Sequence, residues 1–333
     1  MTDRRLRYAI VVGLLLVILA ALMLAGVAIG TTRVPLTQLL SMLGLNPQPV
    51  SPMTARIVIE LRIPRVLLAA LTGAGLAMVG ALLQTATRNE LADPFLFGLS
   101  SGASAGAVAV ITRLGDRLGH WTLPASAFAG GLASALAVMV LLRLQQEKGS
   151  ERIVISGLAI SFLFGALTNY LVFTGDQRAA SAILFWTLGG LGLAAWDNLW
   201  LAAAANLLLA AFICWRWRAL DALLSGEQTA VSLGVHLTRL RSEIFLCCAL
   251  ATATLVALTG VIGFVGLMVP HLARPLCGVR HRALLPLVAI LGAVLLAAGD
   301  LLSRTLMAPQ ELPIGVITGG LGGLFVLMML FKR

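Results

Sequence analysis

Four stretches of this sequence carry residues that a plain apolar segment does not need. The first is Arg62-Ile63-Pro64-Arg65, joined far along the chain by Arg304. A guanidinium presents a planar fork of donors suited to carboxylates. Three arginines at the ends of apolar runs therefore read either as snorkelling anchors or as a dock for an acidic partner or anionic ligand. The second runs from Arg88-Asn89-Glu90 through Asp93-Pro94 to Gly98-Leu99-Ser100-Ser101-Gly102. Charges followed by Pro and Gly mean irregular backbone, which a bilayer tolerates only where it is buried in protein or lines a cavity. Asn89, Asp93, Pro94, Ser100, Ser101 and Gly102 are thus candidates for a path or gate, although Asp93-Pro94 also fits a simple helix start. The third lies at about 219–240, where Leu220, Leu223, Leu224, Leu233 and Val235 are interspersed with Asp221, Glu227 and Arg239. Gly226 and Gly234 punctuate it, which predicts two short amphipathic helices, lying on the membrane or docking in a partner's groove. The docking face would include Ala230 and Gly234. The fourth, Gly263 to Arg274, contains Pro270 and His271: a kinked helix end or a gate element.

Other chemistry is missing. No carboxylate or second histidine lies near His271 in sequence, so no metal ligand is assigned. Cys214, Cys247, Cys248 and Cys277 form no CxxC pair, and the adjacent Cys247 and Cys248 read as small buried hydrophobes. A phosphate-binding loop needs a lysine after its glycines; Lys148 and Lys332, the two lysines, lack that context. No catalytic residue is assigned.

The elements that carry these stretches are membrane helices. The 333 residues are 59% hydrophobic and only 11% charged, against about 25% charged in soluble domains. Mean hydropathy is +0.97. This excludes a soluble domain, a disordered chain and a disulfide-stapled secreted protein. Ten apolar segments fall near 8–30, 65–84, 96–112, 122–143, 153–173, 196–214, 244–260, 262–273, 283–302 and 313–331. The run that opens the chain is longer than a signal peptide's apolar core and reads as a retained helix. With ten spans and both termini cytoplasmic, 16 of the 24 basic residues lie inside. Merging the seventh and eighth segments abolishes that bias, so the break is expected at Thr259, Gly260 and Gly263. The net charge of +10 is therefore a topology signal and gives no reason to expect nucleic acid. Small residues such as Gly73, Gly80, Gly102 and Gly106 predict close helix packing. The triplet Leu71-Thr72-Gly73 recurs as Leu258-Thr259-Gly260, which reads either as a trace of two related halves, as many transporters have, or as chance repetition in so biased a composition. An ion-coupled transporter would need ionisable groups in mid-membrane, and the candidates are Asp300, near a helix end, and the uncharged Asn169.

Read together, Arg62 to Arg65 with Gly73 to Gln84, Thr87 to Gly106, Gly260 to Arg274 and Glu311 to Gly315 resemble the FecCD-like permease subunits of ATP-binding-cassette importers. Glu90 departs from the proline more usual there. The resemblance covers nearly the whole chain and implies one all-α transmembrane domain over 1–333, with ten transmembrane helices and the type II importer permease fold. It implies a bacterial inner-membrane homodimer with the path at its interface. Two cytosolic ATPase subunits would hold the ATP and Mg²⁺ and dock on the 219–240 helices; this subunit would bind no cofactor. A periplasmic binding protein would meet Arg62, Arg65 and Arg304. The cargo would be haem, a ferric siderophore or cobalamin, with haem first.

Overall fold

Each of the ten apolar segments falls on a helix in the computed structural model, which describes residues 2–30, 34–42, 49–113, 115, 119–144, 150–176 and 179–331. Arg33, Arg117, Lys148, Arg178, Lys332 and Arg333, which enter the charge count, lie outside the described residues. The helices are α1 (Thr2–Ala28), α2 (Leu36–Met42), α3 (Pro52–Arg56), α4 (Ile63–Thr87), α5 (Leu99–Arg113), α6 (Thr122–Leu144) and α7 (Ser150–Thr174). They continue with α8 (Ala180–Thr187), α9 (Trp196–Leu224), α10 (Glu227–Ser232), α11 (Leu237–Thr259), α12 (Val265–Cys277), α13 (His281–Thr305) and α14 (Ile314–Phe331). A π-helical stretch, Ile57–Arg62, joins α3 to α4. The described residues contain no strand.

Among the described residues, eight helices are long and apolar enough to cross a membrane. The other two expected spans, α5 and α12, have 15 and 13 residues. At 1.5 Å per residue they rise only about 20–22 Å, short of a ~30 Å hydrocarbon core. Both follow broken backbone: a 3₁₀ turn, Pro94–Phe97, before α5, and the segment 260–264 before α12. Side chains satisfy carbonyls at these breaks. Ser134 Oγ donates to Gly98 O at 2.6 Å and Ser161 Oγ to Phe95 O at 3.3 Å, while Gln84 Nε2 donates to Gly266 O at 3.2 Å. Irregular backbone is thus kept inside protein, where its polar groups are paired.

Helix α4 is buried along most of its length, as is α11, while α1, α7 and α14 stay largely exposed. Close approach explains how α4 occupies the centre. A side chain at Gly73 would overlap the backbone of Gly292 on α13, and one at Gly80 the backbone of Gly266. Without a hydrophobic drive in lipid, such contacts supply van der Waals energy between helices. Gly260 does something else: with φ of 67° it ends α11, so the repeated Leu-Thr-Gly triplet has two unrelated structural roles.

The loop at 219–240 differs from expectation. Leu220 to Leu224 are the last turn of α9, which continues until Ser225-Gly226 break it, so one six-residue helix, α10, stands where two short helices were expected. The apolar period of α9 runs on past the expected end of the span at 214, and the helix stops at Ser225 and Gly226, the glycine at φ of 118°.

Candidate functional site at the two ends of the bundle

At one end, two arginines hold the C-terminus of α1 and a third, Arg65, joins their charge network. A helix leaves its last carbonyls without internal partners, and here Arg62 Nη1 donates to Val27 O at 2.8 Å and Ala28 O at 3.0 Å. Arg304 Nη1 donates to Gly26 O at 2.9 Å and Ile29 O at 3.2 Å. The cations also sit at the negative end of the helix dipole. Asp300, one turn before Arg304, pairs with it at 2.7 Å and with Arg65 at 2.8 Å. Arg65 also reaches Glu311 at 2.8 Å. Arg62 and Arg304 are 6% and 3% exposed, so both are enclosed by this chain. Arg65 instead lines a cavity of about 950 Å³, together with Arg113, His120, Asp176, Trp186 and Glu311. The Trp186 indole N–H is buried without a hydrogen-bond partner among the described residues.

At the opposite end, three consecutive residues of α4 each reach a different element. Gln84 Oε1 accepts from Arg274 of α12 at 2.6 Å. Thr85 Oγ1 lies 2.8 Å from His281 Nε2 at the start of α13, and His281 Nδ1 is 2.7 Å from Asp221 of α9. Ala86 O accepts from Arg241 of α11 at 3.0 Å, and Arg241 pairs with Glu227 of α10 at 2.6 Å. The last turn of α4 therefore ties the loop residues Asp221 and Glu227 to the bundle. In that loop Leu220, Leu223 and Ala230 are buried, Val235 is half-buried, and Leu224, Leu233 and Gly234 are exposed, with Val231 beside them.

The path candidates divide in the same way. Asn89 makes an Asx turn to Leu91 N–H at 2.9 Å, and Ser101 Oγ donates to Gly98 O at 2.8 Å. Pro94 and Pro270 are buried, and Gly102 packs against Gly130 of α6. Ser100 is buried with no partner for its hydroxyl among the described residues. His271 stacks edge-on against Phe325 and lies 3.8 Å from Glu90, a carboxylate that the fold brings to it from far along the chain. Among the described residues no group of His, Cys, Asp or Glu could hold a metal ion. Cys247 and Cys248 are buried.

Asp93 caps the 3₁₀ turn, accepting from Phe95 N–H at 3.0 Å. Burial pushes its carboxyl up to about 6, against the downward pull of the Phe95 and Leu267 N–H groups. A raised folded value means that the fold favours the protonated acid. That stabilisation is present below the unfolded value near 3.9 and is lost as pH rises through about 6. Asp93→Asn keeps the acceptor without the buried charge. Its melting temperature should match the parent at pH 4 and exceed it at pH 8, by the equivalent of about 2–3 kcal/mol. Thermal melting in detergent across that range checks it.

Sequence reasoning missed Gln84, Thr85, Asp221, Arg241 and His281 as a connected group, because their partners lie on other helices. One signal was available: Gln84-Thr85 is an adjacent polar pair in the last turns of a mostly apolar helix.

A bundle of long apolar helices, broken at two points and carrying an exposed apolar loop at one end, defines a polytopic membrane protein. The model of the FecCD transport family matches residues 15–332, and the chain belongs to that family. It is 37% identical over 278 residues to the hemin transport system permease protein of Yersinia pestis, covering 83% of each chain. To the vitamin B12 import system permease protein of Escherichia coli O157:H7 it is 35% identical over 284 residues, covering 85% of this chain and 86% of that one. A solved metal-chelate type ABC transporter in an inward-facing conformation superposes with a TM-score of 0.83 at 27% identity, covering 97% of this chain and 99% of the other. Such relatives are the permease subunits of importers and not their ATPases, so ATP hydrolysis belongs to a partner subunit.

Proposed function

We propose that two copies of this chain form the membrane path of an ATP-driven importer that carries a large metal chelate inward, haem first, with ferric siderophores and cobalamin as the other candidates. The localisation is the bacterial inner membrane with both termini in the cytoplasm. The observation that carries this reading is the α9–α11 loop, whose exposed Leu224, Val231 and Leu233 stand beside side chains tied to α4. An apolar patch on such a support suits a groove in a cytosolic ATPase. Force on Asp221 and Glu227 would pass through His281 and Arg241 to Thr85 and Ala86, and from Gln84 to Arg274 on α12. ATP would drive transport by favouring one of two permease states, since only differential stabilisation shifts such an equilibrium. Asn89, Ser101 and His271 are the path candidates that keep exposed surface; Asp93, Pro94, Ser100, Gly102 and Pro270 would act by shaping the breaks.

The second copy would pack on the exposed face of α14, where Gly319 and Gly323, four residues apart, have open space around them. That spacing lets helix backbones approach closely. A periplasmic binding protein would dock at the arginine end. Its contact falls on Arg65 and the cavity rim, while Arg62 and Arg304 hold α1 and would reach a partner only by leaving its carbonyls. Arg65→Gln, which removes the cation without adding a third carboxylate beside Asp300 and Glu311, should weaken docking of the loaded binding protein about tenfold, because charge complementarity governs encounter and register; a melting temperature and ATPase assembly measured alongside separate that loss from damage to the charge network. Surface plasmon resonance on the purified complex reads this directly. The importer reading also requires uptake to need the ATPase and to survive an uncoupler while ATP persists; uptake that collapses with the proton gradient points to ion coupling.

A further inference from the structure

We infer that the cytoplasmic end of α9 and α13 holds an anionic phospholipid head group between Arg218 and Arg282. The two guanidinium carbons lie 5.2 Å and 5.6 Å from the centroid of one ring, Trp217, within the range of cation–π attraction. Both arginines are exposed, and no carboxylate lies within salt-bridge reach of either among the described residues. The acids at this end are already engaged: Asp221 by His281, Glu227 by Arg241, Glu243 by Arg216 and Arg239, and Glu90 near Arg274. Two positive charges are thus held together with no internal counter-charge. The N-terminus of α13, one residue before Arg282, adds the positive end of a helix dipole.

Depth selects a lipid over a soluble anion. Trp196 and Trp217 are 21 residues apart on α9, a rise of about 31 Å, which is one hydrocarbon thickness. Tryptophan favours both membrane interfaces, so the pair brackets the bilayer and sets Trp217 at the level of head groups. Below Arg218, Leu207, Ala211 and Cys214 follow at helical spacing and are all exposed. This stripe, headed by one cation and flanked by another, accepts an acyl chain along α9 with its phosphate between the guanidiniums. Basic pockets between helices on the cytoplasmic side bind anionic head groups by the same chemistry.

The test is native mass spectrometry of the detergent-purified chain titrated with palmitoyl-oleoyl phosphatidylglycerol and, separately, with the matching phosphatidylcholine. Each basic residue near an anionic surface is worth about fivefold in affinity, so Arg218→Gln with Arg282→Gln should lose the tightest phosphatidylglycerol site by about 30-fold. Melting temperature should not move, because both side chains are exposed. Equal affinity of the double variant and the parent overturns the site, as does equal retention of phosphatidylcholine by the parent. Displacement of the lipid by millimolar inorganic phosphate also overturns it, since the site would then take a free anion. If the double variant does not purify, the parent alone decides: a phosphatidylglycerol preference below threefold contradicts the inference.

Discussion

Replacing Asp300 by alanine is expected to destabilise the chain by about 3–5 kcal/mol, the usual cost of removing one member of a buried charge network. Asp300 is 1% exposed and neutralises both Arg65 and Arg304. Without it, two guanidiniums remain at a helix end with only Glu311 and the carbonyls of α1 to compensate. Asp300→Asn should come close to the same loss, because charge and not volume is what the site needs. Combining Asp300→Asn with Arg304→Gln should cost less than the sum of the singles by at least about 1 kcal/mol, as coupled neighbours do. Thermal melting of the four proteins in one detergent measures the cycle. Strict additivity would mean that these charges do not depend on one another.

The second large effect is on assembly. Leu233 is 66% exposed, so Leu233→Asp should change bundle stability by no more than about 0.5 kcal/mol. As a central apolar contact in a docked interface, however, it should be worth about 2 kcal/mol or more, and its loss should reduce ATPase co-purification about 30-fold. Leu220→Asp is the informative contrast. Leu220 is fully buried in the last turn of α9, so that change should damage the fold itself. A Leu233→Asp chain that still recruits the ATPase and still transports removes the loop from the coupling account.

Much of the fold was legible in the sequence because membrane helices write their length in hydropathy. The charge bias even located the break between α11 and α12, which the structure has at 260–264. The lengths of α5 and α12 were not legible, since α5 and the first half of α12 lie buried in protein and need not match the bilayer. The extent of α9 was hidden for a related reason: Leu220 and Leu223 keep its apolar period beyond the membrane, so the chain looked like a separate helix. At the arginine end, type and position were readable, but the partners were not. Asp300 and Arg304 are one helical turn apart and could have been paired on spacing alone. The carbonyls of residues 26–29 could not, because a backbone acceptor has no signature in sequence. The same holds for the last turn of α4, where Ala86 contributes only its carbonyl oxygen.

The most direct test of the importer account is to purify this chain with the ATPase subunits encoded beside it, reconstitute the complex in liposomes, and add candidate binding proteins loaded with haem, cobalamin or a ferric siderophore. The account predicts a stable complex whose ATP hydrolysis rises with one loaded binding protein, haem first, and whose cargo accumulates in the vesicle. A chain that recruits no ATPase, and moves its cargo only when an ion gradient is imposed, would contradict it.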